Sequence, residues 1–405
     1  PRSTLFPYTT LFRSGVGMAE GDHETGVPDS GRAELWASTM AGTPAGHTDT
    51  PVRTAHADST ATVPHGSLLD RTAREEDEDA SLAAGATRAT GAGDRGVEEP
   101  PDPLRTCFER DRDRILHGTA FRRLAGKTQV FVFPEDHQRT RLTHALEVAQ
   151  VATSIARALH LNVPLTDAIA LGHDCGHGPG GHASEDALSP YVEGGYDHAR
   201  WGADVTLAPL NLCSETLDGI RNHSWSRPAP STPEGEVVSW ADRIAYVCHD
   251  FEDAEHTGIV AAHELPDLVR ERCGTNRREQ LGAFIGGVVT ASAQCGRIGM
   301  DADTADALSA FRSFDYERIY LRPESMDQAA RVIDLLRALV DHFTASPTDL
   351  PSDALPEPDA SGSDVVRLAA VRHVSGMTDR YACRSAMRLL DWEVDRLPAA
   401  LDFGP

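Results

Sequence analysis

The chain is 405 residues long and carries a formal net charge of -24, from 62 acidic against 38 basic residues. This balance disfavours a dedicated nucleic-acid binder, whose binding surface is basic, although a local group of arginines can still hold a small anion. The seven cysteines are scattered without CxxC spacing, and no apolar run approaches the roughly eighteen residues that a membrane span needs. We therefore expect a cytoplasmic protein with reduced thiols that does not cross a membrane.

Residues 1 to about 100 are rich in Gly, Ala, Thr, Ser, Pro and acidic residues, and they lack apolar periodicity. Such a segment cannot bury enough apolar surface to offset chain entropy, so we expect a disordered tail. Residues 1–17 differ again in composition, and no methionine occurs before Met18. We expect this opening segment to be non-native and exclude it from the fold prediction.

Helical periodicity dominates from residue 101 onwards. The clearest helix is predicted over 141–159, where apolar residues recur at steps of three and four. Asn162 is predicted to cap the next helix, and the apolar run 129–133 suits either a small strand or an extended loop. Further helices are predicted over 107–124, 203–221, 237–253, 278–295, 326–343 and 379–396. The sequence therefore predicts an all-α fold, with a main helical domain over 101–260 and a C-terminal helical region over 261–405 packed on it.

Two histidines and two aspartates fall at helical positions beside apolar neighbours, where an unpaired charge would be costly. They are His144, His173, Asp174 and Asp242. Imidazole and carboxylate ligands held on separate helices suit a divalent ion such as Mg, Mn, Fe, Co, Ni or Zn. Taken singly, His144 could be a hydrogen-bonded core histidine, and His173-Asp174 is a common dipeptide. The order H…HD…D across helices favours a metal site.

A glycine-rich segment, residues 171–185, begins at the end of the helix that Asn162 is predicted to cap. His182 and Glu185 are three residues apart and share a face if a helix opens there. A carboxylate raises the pKa of a neighbouring histidine, and such a pair can protonate a leaving oxygen. The alternative is that Glu185 only forms a local hydrogen bond at the start of a helix. His177 and His198 are further candidates for catalysis.

Arginines surround the metal residues in the sequence, and guanidinium groups suit phosphate oxygens. Arg141 precedes the first metal histidine by about one turn, and Arg243 directly follows Asp242. Tyr246 and Asp250 lie further along the same helix, on roughly the face of Asp242. A metal, a protonated histidine and an arginine cluster together imply hydrolysis of a phosphate ester.

Lys127 is the only lysine of the chain, in a sequence biased toward Ala, Arg, Gly and Asp. Either it has a chemical role at the site or its presence is incidental. The nearby pair Arg122-Arg123 is interpreted as a solvated helix face for at least one of its members. The sequence lacks a Walker motif, a Rossmann glycine loop after a strand and a GxSxG elbow, which argues against those nucleotide-binding and hydrolase classes.

These residues resemble the HD-domain superfamily of metal-dependent phosphohydrolases. More narrowly, they resemble the deoxynucleoside triphosphate triphosphohydrolases, or dGTPase-like proteins. The resemblance is carried by the runs 110–117, 120–130, 139–150, 173–182, 194–198 and 241–246. The block RRLAGKTQV at 122–130 is the most specific part, because an HD pair alone occurs in many unrelated sequences.

The resemblance implies a role for each candidate residue. The metal ligands would be His144, His173, Asp174 and Asp242, and the catalytic pair would be His182 and Glu185. The residues facing the triphosphate and sugar would be Arg141, Arg243, Tyr246 and Asp250, with Lys127 and Gln129 also on the substrate side. Gln129 would approach the deoxyribose 3′-OH. Relatives often carry an aromatic residue where this chain has Gly180, so we expect a wider pocket or a looser His182.

The resemblance also implies a reaction and an assembly. The family hydrolyses a deoxynucleoside triphosphate to the deoxynucleoside and inorganic triphosphate; water attacks the α-phosphorus, O5′ leaves, and the sugar pocket rejects a ribose 2′-OH. Its members form homo-oligomers, often hexamers, and we expect the same here. The alternatives are another HD phosphohydrolase, such as a 5′-nucleotidase or a guanosine polyphosphate hydrolase, and a non-catalytic HD protein that binds nucleotides or nucleic acid.

Overall fold

The computed structural model describes Glu34, Ala37, Ser38 and residues 42–44, 52–64, 66, 68–134, 137–355 and 362–398. Residues 1–17, predicted to be non-native, lie outside the described residues. The chain divides into a unit that ends at Leu68 and a larger unit that begins at Leu69. In the first unit, β1 (Thr43–Pro44) and β2 (Arg53–Thr54) pair antiparallel.

The larger unit is helical, which confirms the all-α prediction. Its helices are α1 (Arg71–Ser81), α2 (Cys107–His117), α3 (Thr119–Arg123), α4 (Arg141–Ala158), α5 (Val163–Gly172), α6 (Ala183–Leu188), α7 (His198–Trp201), α8 (Ser214–Asn222), α9 (Pro233–His256), α10 (Asp267–Cys273), α11 (Arg277–Cys295), α12 (Ala302–Asp315), α13 (Pro323–Ala345), α14 (Ser363–Ser375) and α15 (Asp379–Leu390). Within the described part of the chain, no helix is long and apolar enough to cross a membrane, and all seven cysteines are unpaired.

Packed structure begins before residue 100, where the tail was predicted to end. α1 has no buried residue, yet the segment after it is tied to the helices that follow. Thr87 Oγ1 donates a hydrogen bond to Glu234 at 2.7 Å, and the buried Arg95 forms an ion pair with Asp111 at 2.6 Å. Apolar periodicity cannot detect order of this kind, because polar caps and buried ion pairs create it.

The helices that carry the site follow the sequence prediction closely. Asn162 caps α5 by accepting a hydrogen bond from the Leu165 amide at 3.0 Å, and proline occupies the first turn of that helix. The helix predicted over 203–221 was wrong, because α8 begins only at Ser214. Asn211 adopts a left-handed conformation with φ of 50°, which interrupts any helix across this segment.

Buried apolar side chains form two clusters. The first is built by α2–α5 and α8–α12, and the second by α6, α7 and α13–α15. Helices α10–α12, which the sequence prediction assigns to the C-terminal region, therefore share a core with the main helical domain. The glycine-rich loop between α5 and α6 runs from the first cluster to the second. That loop carries the candidate active site.

Candidate active site

Three helices bring the four predicted metal ligands to one place. His144 comes from α4, His173 and Asp174 from the end of α5, and Asp242 from α9. His144 Nε2 lies 3.1 Å from Asp242 Oδ1, and His173 Nε2 lies 3.6 Å from the same oxygen. Asp174 Oδ2 lies 3.9 Å from His144 Nε2. The prediction that these four side chains converge is therefore matched by the structure.

The donor set fits a divalent ion. Two ligand atoms bound to one ion at about 2.1 Å are separated by roughly 3.0–3.4 Å, close to the distances found here. His173 Nδ1 contacts the Ala170 carbonyl oxygen at 2.6 Å, which holds the proton on Nδ1 and leaves the Nε2 lone pair free. This Nε2 is buried and has no hydrogen-bond partner among the described residues. Two imidazoles and two carboxylates around it suit the metals predicted from the sequence.

Arg141 lies beside the metal set and retains free donors. Its Nη1 donates to Asp174 Oδ2 at 2.6 Å. Burial alone would raise the pKa of Asp174, but the charges of Arg141 and the neighbouring histidines hold that pKa well below its usual range. Nε and Nη2 of Arg141 are buried without a hydrogen-bond partner in the described part of the chain. These N–H groups are available to an anion.

Gly181 makes room for the guanidinium of Arg141. A Cβ at this position would lie 2.8 Å from Arg141 Nη2 and 3.0 Å from the Thr128 carbonyl oxygen, and its φ is 63°. Only glycine meets both conditions without strain.

Glu185 lies between two histidines in a second cluster beside the metal set. Its Oε1 is 2.5 Å from His198 Nδ1, whereas its Oε2 is 3.6 Å from His182 Nδ1. On its other side, His198 Nε2 lies 3.2 Å from His223 Nε2. The pair predicted from spacing, His182 with Glu185, is thus one end of a longer chain of contacts.

His223 lies at the far end of this chain of contacts. His223 Nδ1 donates to the Ile220 carbonyl oxygen at 2.8 Å. Burial and the nearby histidines lower the pKa of His223 to about 4, so its ring is neutral and its Nε2 accepts. His198 contacts Glu185 through Nδ1 and His223 through Nε2. Burial would raise the pKa of Glu185, but the neighbouring His182 and His198 lower it, so Glu185 remains a carboxylate.

The other two histidines differ in exposure. The His182 side chain is 73% exposed. His177 is buried, its ring stacks on that of His198 at 3.8 Å, and its Nε2 lies 3.2 Å from Asp174 Oδ1. Burial and the charge of Arg141 lower the pKa of His177 well below its usual value. His182 is therefore the histidine of this cluster that a substrate can reach.

The sequence prediction did not include His223. Its only sequence signal is its place directly after the amphipathic helix α8, which by itself is typical of many helix ends. Three residues beside the predicted substrate contacts were also missed, namely Trp225, Arg312 and Tyr320. None of them lies in the sequence runs that carry the resemblance, so those runs gave no reason to single them out.

The predicted substrate residues on α9 lie in one row with these partners. The Arg243 guanidinium stacks on the Trp225 ring at 3.9 Å. Tyr246 accepts a hydrogen bond from Arg312 Nε at 2.7 Å. These contacts hold two guanidinium groups and two rings beside the metal-bearing helix.

Asp250 and Gln129 retain polar atoms without partners. Asp250 Oδ2 accepts from Tyr320 Oη at 2.6 Å. Its Oδ1 and the Gln129 Oε1 are buried and have no hydrogen-bond partner among the described residues. Burial raises the pKa of Asp250 to about 7.

The sequence left two alternatives for residues 129–133, a small strand or an extended loop. The structure has a loop there.

The Lys127 side chain lies in the protein interior. It is 3% exposed, and its Nζ donates to the carbonyl oxygens of His177 and Ser375, the latter at 3.0 Å. Burial lowers the pKa of this lysine to about 8. Its ammonium group supports the glycine-rich loop from behind, which differs from the direct substrate contact implied by the resemblance.

Replacing Lys127 with arginine is expected to lower the free energy of unfolding by about 1–3 kcal/mol, because a larger planar group must enter a buried site that fits an ammonium. Activity should fall as well, since the loop carries catalytic candidates. Denaturant unfolding and rate measurements would check both effects. Arg122→Lys, at an exposed position five residues before Lys127, is the control. Wild-type stability and rates in the Lys127 variant would mean that this lysine is incidental.

Comparison with known families places these features in context. The HD domain matches residues 141–247, and the phosphohydrolase-associated domain matches residues 298–388. The metal set lies within the first match, whereas Arg312, Tyr320 and the segment around Ser375 lie within the second.

Curated relatives resemble most of the chain. A deoxyguanosinetriphosphate triphosphohydrolase-like protein of Caldanaerobacter subterraneus subsp. tengcongensis is 38% identical over 315 residues, which is 76% of this chain and 92% of that protein. A protein of the same name from Roseobacter denitrificans is 35% identical, over 77% of this chain and 97% of its own length. A solved structure of a hypothetical protein from Aquifex aeolicus aligns with a TM-score of 0.44 and 17% identity, over 69% of this chain and 68% of that chain. The chain therefore belongs to the deoxyguanosinetriphosphate triphosphohydrolase-like proteins, a family of HD-domain phosphohydrolases.

Proposed function

We propose that this protein hydrolyses deoxynucleoside triphosphates to the deoxynucleoside and inorganic triphosphate, with the help of a divalent metal ion. The observation that carries the proposal is the position of Arg141. One of its nitrogens binds the metal-set residue Asp174, and two others are buried donors without partners. A guanidinium in that state fits a phosphate group held next to the ion.

The metal set and the histidine cluster have different roles in the proposed reaction. His144, His173, Asp174 and Asp242 would hold the divalent ion, which would supply Lewis-acid polarisation of a phosphoryl oxygen. Arg141 orients the α-phosphate and offsets its charge. Water adds to the α-phosphorus and the O5′–phosphorus bond breaks; the exposed His182, beside Glu185, donates a proton to O5′, and the proton that water releases restores His182. The products are then a neutral deoxynucleoside and inorganic triphosphate.

Residues of α9, together with Arg312 and Gln129 beside it, would recognise the rest of the substrate. Arg243 and Arg312 would face the outer phosphates, because both guanidinium groups are held in fixed positions by aromatic partners. The partner-free oxygens of Asp250 and Gln129 would accept hydrogen bonds from a sugar hydroxyl. A buried acceptor that is left unpaired gives strong discrimination against a sugar that lacks the hydroxyl, so a 2′,3′-dideoxynucleoside triphosphate should have a much lower kcat/KM than the corresponding dNTP.

Product analysis tests this function directly. Purified protein would be incubated with each dNTP and each NTP in the presence of Mn²⁺ or Mg²⁺, and phosphate products would be separated by ion exchange. The reaction in ¹⁸O-labelled water should place the label in the triphosphate, since water attacks phosphorus and the O5′–phosphorus bond breaks.

Three outcomes would contradict the proposal. Metal-loaded protein that releases no triphosphate from any dNTP would exclude it. Release of orthophosphate or pyrophosphate would instead favour a 5′-nucleotidase or a guanosine polyphosphate hydrolase. Tight DNA binding without turnover, with a steep salt dependence, would favour the non-catalytic alternative.

A further inference from the structure

The loop between α5 and α6 is fastened to the C-terminal helices by one buried carboxylate. Asp379 is the first residue of α15 and is 5% exposed. Its Oδ1 accepts a hydrogen bond from the Gly180 amide at 2.9 Å. Its Oδ2 accepts from the amide and the hydroxyl of Thr128, at 2.8 and 2.6 Å. One side chain thus joins three segments that are far apart in the sequence.

A second contact fastens the same loop three residues earlier. Lys127 Nζ bridges the carbonyl oxygens of His177, in the loop, and Ser375, at the end of α14. Both loop residues are therefore bonded to the stretch 375–379. Gly180 is bonded directly to Asp379, and His177 is linked to Ser375 through Lys127. Between these bonds and α6 lies His182, only two residues beyond Gly180.

Close packing seats the loop against the same C-terminal helices. Gly180 has a φ of 74°, and a Cβ at this position would lie 2.3 Å from Val332 Cγ1 of α13. The expectation that Gly180 widens the pocket was therefore wrong, because Val332 occupies the space that a side chain would need. The loop backbone lies directly on α13, and any larger residue would push the loop away.

We propose that Asp379 is a positioning residue, which holds the loop 177–182 so that His182 meets Glu185 beside the metal set. The kinetic part of this inference rests on the proposed function. The C-terminal helices are then part of the catalytic apparatus, since they supply the carboxylate that shapes the loop. A displacement of about 1 Å at a reacting group can cost on the order of a hundredfold in rate. A protein whose loop is released from Asp379 should therefore retain the metal ion and lose turnover.

Three substitutions and one control test this role. Asp379→Ala removes all three hydrogen bonds, and Asp379→Asn keeps the size and part of the accepting capacity. Thr128→Val removes only the hydroxyl bond and serves if Asp379→Ala does not fold. Asp364→Asn, at an exposed carboxylate in the first turn of α14, is the matched control. Melting temperature and metal content would be recorded for every variant.

Hydrogen exchange of peptides covering 176–182 is the readout that does not depend on activity. We expect exchange in Asp379→Ala to accelerate by about tenfold or more in this loop, while α4 and α9 stay protected. kcat should fall by about 10- to 100-fold with KM and metal content little changed, and Asp379→Asn should recover part of the loss. Asp364→Asn should match the wild type.

Contrary results can be assigned. Unchanged loop exchange in Asp379→Ala would overturn the inference, and so would a loss confined to KM or to metal content. General acceleration of exchange across the protein would mean that Asp379 only stabilises the fold. If the wild-type protein hydrolyses no dNTP, the proposed function fails, whereas the exchange comparison still decides whether Asp379 orders the loop.

Discussion

Asp242→Ala is expected to abolish stoichiometric binding of the divalent ion and to lower triphosphate release by about a thousandfold or more. Asp242 Oδ1 faces both metal-set histidines, at 3.1 Å from His144 and 3.6 Å from His173. Its removal leaves Asp174 as the one carboxylate of the set. Asp174 cannot compensate, because its Oδ2 is already bonded to Arg141 at 2.6 Å.

Metal content measured by plasma mass spectrometry, alongside turnover, would separate binding from chemistry. Glu255→Gln is the control, because Glu255 is an exposed carboxylate near the C-terminal end of the same helix α9. That variant should keep both the ion and the rate. A full complement of metal in Asp242→Ala would show that Asp242 is not a ligand, and retained turnover without metal would contradict the proposed reaction.

Residue type and position on or beside the helices were enough to predict that the four residues of the metal set lie together, whereas their role as ligands stays a prediction. His144 and Asp242 lie on long helices with strong apolar periodicity, so each side chain had to face the core beside its neighbours. His173 and Asp174 directly follow the apolar helix α5, which places them at the same core. Local pattern and tertiary position agree at these residues, and the prediction needed no knowledge of how distant segments pack.

The contacts of the histidine cluster depend on packing between distant segments. Spacing correctly puts His182 and Glu185 on one helical face, but it cannot show that His198 returns to contact Glu185 at 2.5 Å. His223 arrives from another helix altogether. The order of the loop likewise depends on Asp379, about 200 residues away in the sequence. A side chain that bonds across such distances carries no periodic signal, because its partners are set by the packed fold.

The role of Lys127 could not be predicted from its being the only lysine of the chain. A lone lysine suggested a chemical role, and the resemblance placed it on the substrate side. Its ammonium instead bonds two carbonyl oxygens in the interior. Buried backbone carbonyls need donors, and this need is invisible until the loop and the end of α14 are brought together.

His182→Ala is expected to lower kcat by about 10²- to 10⁴-fold while metal content stays at the wild-type level. The His182 side chain is 73% exposed and lies 3.6 Å from the Glu185 carboxylate, so it is both accessible and oriented. His198 is buried between Glu185 and His223, where it anchors the carboxylate. We therefore propose that His182 donates the proton and that His198 supports Glu185.

The choice of leaving group can separate proton donation from positioning. An activated aryl phosphodiester expels a phenolate that needs no proton, so His182→Ala should lose far less activity on it than on a dNTP. His198→Ala should lose activity on both substrates, because it disturbs Glu185 and the adjoining His177. His342→Ala, which breaks a histidine–carboxylate pair with Asp349 outside the site, is the control and should affect neither. Equal losses on both substrates in His182→Ala would mean that His182 positions the phosphate and that the proton for O5′ comes from elsewhere.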